Sequence, residues 1–242
     1  MIGTGTLLNA AGIVAGGVLG LSKTPFSAGN QNFSKLALAA FTAFCGLRLT
    51  WISLNGSMAH LLKHLGIILL ALVLGKLAGR LLRLQKASNR LGRYARERIS
   101  AAKPDDPDRF YKGFLVCTAL FCAAPLGIIG AIQDGVSGYF LPLAAKAFMD
   151  GLATMGFISM FGAGVIFSVV PVLVLEGTVT LLCARFAEPW LVAHSLIDPL
   201  NATGGMLLFC IALLMMQWRK IEVTDYLPSL LVAPALALWL HW

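Results

Sequence analysis

Gln133-Asp-Gly-Val-Ser-Gly-Tyr-Phe-Leu-Pro-Leu-Ala-Ala-Lys-Ala-Phe-Met-Asp-Gly151 sets two carboxylates and an ammonium between long apolar runs. Gly138 and Pro142 mark a turn inside it, and beyond the turn Lys146 and Asp150 stand four positions apart. A charge in the bilayer core is costly unless it is paired, hydrated or turned toward a cavity. The stretch therefore reads as the meeting of two membrane spans whose charges face inward.

Composition agrees. The chain has 242 residues, 58% of them hydrophobic and only 12% charged, with a mean hydropathy of +0.80. Those values lie outside the range of soluble domains and fit an all-α, polytopic membrane bundle, residues 1–242 forming a single integral membrane domain. Met1 to Leu21 has no basic start and carries no charge, so it reads as a retained first span rather than a cleaved signal. Cys45, Cys117, Cys122, Cys183 and Cys210 all lie in apolar runs without a CxxC pair, which points to neither disulfides nor zinc.

Apolar runs near the roughly 20 residues that a bilayer requires predict about eight spans (seven to eight): 3–21, 35–53, 61–82, 112–132, 139–160, 164–184, 201–218 and 226–242. The division of the fifth from the sixth rests on Gly162-Ala-Gly164, an uncharged turn. Asn55-Gly56 marks another turn, and Pro25 with Asn30-Gln31-Asn32 a linker. Trp239, His241 and Trp242 read as an interfacial belt.

Of the 19 Lys and Arg, 11 fall between Lys76 and Lys112 against four acids, a local surplus of seven. Basic loops stay in the cytoplasm, so this segment lies inside and both termini outside, with only Arg48, Lys63 and Arg185 left near the outer side. Within the segment, 84–103 forms a basic amphipathic helix suited to lie on anionic headgroups, ended by Lys103-Pro104-Asp105-Asp106-Pro107. It supplies no nucleic-acid-binding module. It also divides the membrane part into two units, each beginning with three spans, the layout that an inverted repeat requires. Lys35-Leu-Ala-Leu-Ala-Ala-Phe and Leu143-Ala-Ala-Lys146-Ala-Phe are a faint echo of such a repeat.

Candidate site residues follow from charge and amide groups inside spans. Lys146 and Asp150 share a helical face; they line a polar path or only hold the helix in register. Asp134, with Gln133, falls near the outer end of the fourth span or at a break in it, either on a pathway or as a cap of the next helix. Glu176 follows Pro171 by five positions and precedes Gly177, a pattern for a broken helix at an ion site or for a simple kink. Asn9 adds a polar group to the first span. Gly12, Gly16 and Gly20 give that span a small-residue face, from which a homodimer is expected. His60 and His64 lack a third ligand, so no metal is expected. No Walker loop, HExxH or GxSxG is present, so the chain reads as no enzyme and needs no cofactor.

Gly3-Thr4 to Gly20 with Asn9-Ala-Ala-Gly12, Gly130-Ala-Ile-Gln133-Asp134-Gly135, Lys146-Ala-Phe-Met-Asp150-Gly151 and Gly162-Ala-Gly164-Val-Ile-Phe-Ser168 resemble the YqgA/YdfK group of bacterial inner-membrane proteins over nearly the whole chain. The group is one of unknown function. The resemblance implies a multi-pass protein of the bacterial cytoplasmic membrane and supplies no substrate. It also implies that Gln often stands near position 176 and that the basic helix varies. The expectation is a transporter or channel-like protein for a small ion or solute, not driven by nucleotide hydrolysis. Its rival is a membrane scaffold or sensor whose buried polar groups are structural. Asp134 and Asp150 are the expected coupling acids, Lys146 their counter-charge, and Gln133, Asn9 and Glu176 secondary contacts.

Overall fold

The computed structural model describes residues 2–22, 28–54, 58–102 and 106–240, the side chains of 28–31 and 58–60 excepted. The readings placed on Pro25, the side chains of Asn30 and Gln31, Asn55-Gly56, the side chain of His60, Lys103-Pro104-Asp105, His241 and Trp242 lie outside that set.

Helices account for the regular structure of the described residues, without strands: α1 Thr4–Leu21, α2 Ala28–Ile52, α3 Met58–Leu81, α4 Leu84–Ser100, α5 Arg109–Ala123, α6 Pro125–Ser137, α7 Leu141–Phe161, α8 Val169–Leu182, α9 Glu188–Ala193, α10 Ile197–Met215 and α11 Ser229–Trp239. By length and apolarity five helical segments among them can cross a membrane, or six with the bent pair α5–α6. One of the five, 141–193, is continuous in helical character but folds back on itself, because Lys146 on α7 meets Glu176 on α8. The reversal falls at Gly162, whose φ of 70° and ψ of −162° suit a residue without Cβ, followed by a 3-10 turn to Ser168. The fifth and sixth spans are therefore two crossings, divided where the Gly162–Gly164 reading put them.

Two expected spans differ. Pro125 has no N–H to offer the carbonyl of Phe121, so the fourth span breaks there into α5 and α6, bent by 59°. The eighth is short: α11 has 11 residues, and even with the 3-10 turn before it the apolar stretch Val223–Trp239 falls below the length of a full span. Pro171 breaks nothing. It lies in the first turn of α8, where a missing N–H leaves no bond unmade.

Close contacts fix the directions. α1 runs parallel to α7: a Cβ on Gly12 would strike the Ala147 carbonyl, one on Gly16 the Gly151 carbonyl, and one on Gly20 the Met155 backbone. The glycine face of the first span is thus filled within the chain and gives no support to a dimer. α8 runs antiparallel to α1, with Thr6 opposite Thr180 and Asn9 opposite Glu176. α10 lies antiparallel to α2, where Gly46 and Gly205 meet backbone to backbone. α11 packs on α3, Ser229 against Gly75 and Asp225 against Gly79. A twofold exchanging the two expected three-helix units would pair α5–α6 with α2 as α7 pairs with α1; α2 runs along α10 instead.

The bundle accordingly has two distinct ends. The starts of α1 and α7 and the end of α6 share one, called here the N-terminal face. The opposite, basic face carries α4, which is pinned rather than loose: Gln85 N–H donates to Asp225 Oδ1 at 2.7 Å, Thr224 N–H donates to Gln85 Oε1 at 3.1 Å, and Ala95 is fully buried. Lys86, Arg90 and Arg93 remain exposed on it.

Candidate functional site

Three helices bring the polar residues together inside the bundle. Lys146 and Asp150 are one turn apart on α7, and Lys146 Nζ pairs with Asp150 Oδ2. The same Nζ lies 3.2 Å from Glu176 Oε1 on α8. Asn9 on α1 donates through Nδ2 to both Glu176 oxygens, each at 3.0 Å, while its Oδ1 is buried without a hydrogen-bond partner. Lys146 is 1% exposed, Glu176 3%, Asp150 6% and Asn9 0%. So four residues from three helices form one enclosed cluster, in which two carboxylates share one ammonium.

The break between α5 and α6 abuts it. A Cβ on Gly127 would lie 2.9 Å from both Glu176 Oε1 and Lys146 Cε, so a larger residue there would displace the ends of both ionic side chains. Lys146 Nζ also sits 5.9 Å from the centre of the Phe121 ring at the end of α5. A cavity of about 10 Å³, lined by Phe121, Cys122, Gly127 and Glu176 among others, matches the volume that a single water needs. Pro125 leaves the Phe121 carbonyl without its helical N–H partner, while the Gly127 N–H of the first α6 turn donates to the Ala124 carbonyl at 3.0 Å. Breaks of this kind are tolerated at membrane depth where they line a cavity.

Asp134 and Gln133 belong elsewhere. Asp134 lies seven residues beyond Gly127 on α6, two turns or about 10 Å further along the axis, at the N-terminal face. Its Oδ2 accepts the Gly5 N–H at 3.0 Å, so it caps a helix as one reading held; the helix is α1, not the one that follows in sequence. Gln133 points the other way. Its amide is buried against Gly204 of α10 with neither polar atom hydrogen-bonded. Adjacent residues on a helix diverge by about 100°, so the two could not both face α1.

Between the Asp134 cap and the cluster lies a pair that the sequence reading passed over. Thr180 Oγ1 donates to the Ala131 carbonyl at 3.2 Å and meets Thr6 Oγ1 at 3.1 Å. A hydroxyl has one proton, so Thr6 is the donor to Thr180. Thr180 stands four residues after Glu176 and Thr6 three before Asn9, a spacing that could have flagged both. Toward the basic face the cluster is bounded by Ile13, Val116, Cys117, Phe121, Ile158, Phe161 and Val165, all buried. Thr154, one turn past Asp150, is buried with its hydroxyl unpartnered. Among the described residues, no group of three or more His, Cys, Asp or Glu could hold a metal ion.

A family model described as "Protein of unknown function (DUF554)" matches residues 4–238. The "Uncharacterized protein YqgA" of Escherichia coli (strain K12) is 30% identical over 243 residues, 98% of this chain and 98% of its own. The "Uncharacterized membrane protein YdfK" of Bacillus subtilis (strain 168) is 23% identical over 240 residues, 98% of this chain and 96% of its own. No solved structure matches. With apolar helices, an ion cluster inside them and a family match from the first helix to the last, the chain belongs to the DUF554 family of membrane proteins.

Proposed function

We propose that the protein is a secondary transporter or channel-like protein that moves a small ion or solute across the membrane without nucleotide hydrolysis. One observation carries the reading: Lys146, Asp150, Glu176 and Asn9 converge, buried, beside a break in an apolar helix pair. Discontinuous helices with nearby charges are how transporters build sites at the bilayer midplane. Two carboxylates against one ammonium leave room for one more positive charge, and the break supplies backbone groups that can rearrange around a cargo. Asp150 and Glu176 act as the exchanging acids and Lys146 as the internal counter-charge, which occupies the site when no other cation does. Asp134 helps by fixing the start of α1, not by touching cargo.

Relatives in Escherichia coli and Bacillus subtilis support a bacterial cytoplasmic membrane as the location, the basic face inward. There α4 presents Lys86, Arg90 and Arg93 to anionic headgroups. Asp150→Asn keeps shape and removes charge. In proteoliposomes the wild type should show ion-dependent flux and the folded variant lose it. No flux from either protein, with a lowered melting temperature for the variant, would make the cluster a structural clasp and favour a scaffold.

A further inference from the structure

The ion cluster is approached differently from its two ends. A groove of about 410 Å³ runs along the outer side of the α1–α8 seam, from Gly3 and Leu181 near the N-terminal face to Leu173 and Val174 beyond Glu176, with Thr6, Gly177 and Thr180 along it. It reaches the hydroxyl pair one turn from Asn9 and Glu176, and the residue next to Glu176 itself. From the basic face the way is filled by Phe121, Ile158, Phe161 and Val165. Apart from its threonines the groove is lined by apolar side chains and glycines, so it offers no charged ligand to a hydrated metal cation.

We propose that the cluster binds one exchangeable proton, on a carboxyl oxygen of Glu176 or Asp150, and that this proton enters from the N-terminal face past the Thr6–Thr180 hydroxyl pair. The proposal rests on the transport reading and names its coupling ion. The balance is simple: a proton adds to one carboxylate oxygen, no other bond changes, and the remaining carboxylate is matched by Lys146. The groups facing the two acids are Asn9 on α1, Cys117 and Cys122 on α5, the Gly127 backbone on α6, and Lys146 on α7. None of the thiols replaces a carboxylate as the site of the added charge, since each would add a negative charge on losing its proton.

Infrared spectroscopy of the full chain in lipid nanodiscs tests this, reading the protonated-carboxyl band and its shift on transfer to D2O. The wild type should show one buried band that titrates with pH and that Glu176→Gln or Asp150→Asn removes. In a Thr6→Val/Thr180→Val double variant, which keeps both acids, hydrogen–deuterium exchange of that band should slow about a hundredfold, the low end of what a positioned proton-transfer group contributes. Thr154→Val, on the far side, should leave it unchanged. A folded wild type without a buried carboxyl band at any pH overturns the proton site. Exchange slowed by Thr154→Val and untouched in the double variant overturns the route. A band that behaves as expected in a protein showing no flux leaves the proton site standing and removes the transport reading, so the two fail separately.

Discussion

Two helix pairs in this protein solve the same packing problem in different ways. α2 and α10 close on Gly46 and Gly205, and the single Thr50 hydroxyl proton is shared between the Gly46 carbonyl at 3.0 Å and, across the pair, the Ala202 carbonyl at 3.3 Å. No ion pair bridges them among the described residues. α1 and α7 close on Gly12, Gly16 and Gly151 in the same fashion, yet that pair and its neighbour α8 also bury a lysine and two acids. Glycine contact, with one threonine hydroxyl across the seam, therefore holds helices together here without an ion pair. Charge was not needed for adhesion, which is why we read it as serving something else.

The sharpest break of the comparison is Lys146→Met. Two carboxylates would be left buried without their ammonium, at a cost of about 3–5 kcal/mol, and little folded protein should survive extraction; a melting temperature close to wild type would mean that Lys146 is not their counter-charge. Next come Gly16→Leu and Gly46→Leu. Each forces a side chain into a backbone carbonyl of its partner helix and should cost about 1–3 kcal/mol or more, with both pairs suffering alike in thermal melts. If only Gly16→Leu hurts, the two seams are not equivalent and the argument from them weakens.

Smaller effects separate hydroxyls from ions. Thr50→Val should lower stability by about 1 kcal/mol and leave flux intact, measured by melting and by proteoliposome transport. Arg80→Ala removes an ion pair whose side chains are 60% and 52% exposed, and should shift stability by less than about 0.5 kcal/mol. A larger loss would show that α3 depends on its link to Glu222 at the basic face.

Much of the contrast was legible in the residues. Apolar run length marked the helices, and the i,i+4 spacing of Lys146 and Asp150 marked a shared face that the structure confirms. The turn at Gly162 was legible because its glycines interrupt a run too long for one crossing. What could not be read was which helix each face would meet. Glu176 joins the cluster only because α8 turns back along α1, and Asp134 is excluded only because α6 begins at the cluster and carries it two turns away. Pro125 was the missed signal: a proline inside an apolar run predicts the break, whereas Pro171, which drew attention, stands in a first turn where it changes little. The glycines of α1 were seen as a contact face, but sequence does not say whether the contact is with another copy or, as here, with α7.

One variant tests the central claim most directly: Lys146→Met, Asp150→Val, Glu176→Leu and Asn9→Val combined, removing all three charges at once together with the amide bonded to Glu176. Replacing buried ions by apolar groups of similar volume is often neutral or stabilising, so the account predicts a protein that melts at or above the wild-type temperature and carries no ion-dependent flux in proteoliposomes. Flux equal to wild type from that charge-free bundle would contradict it.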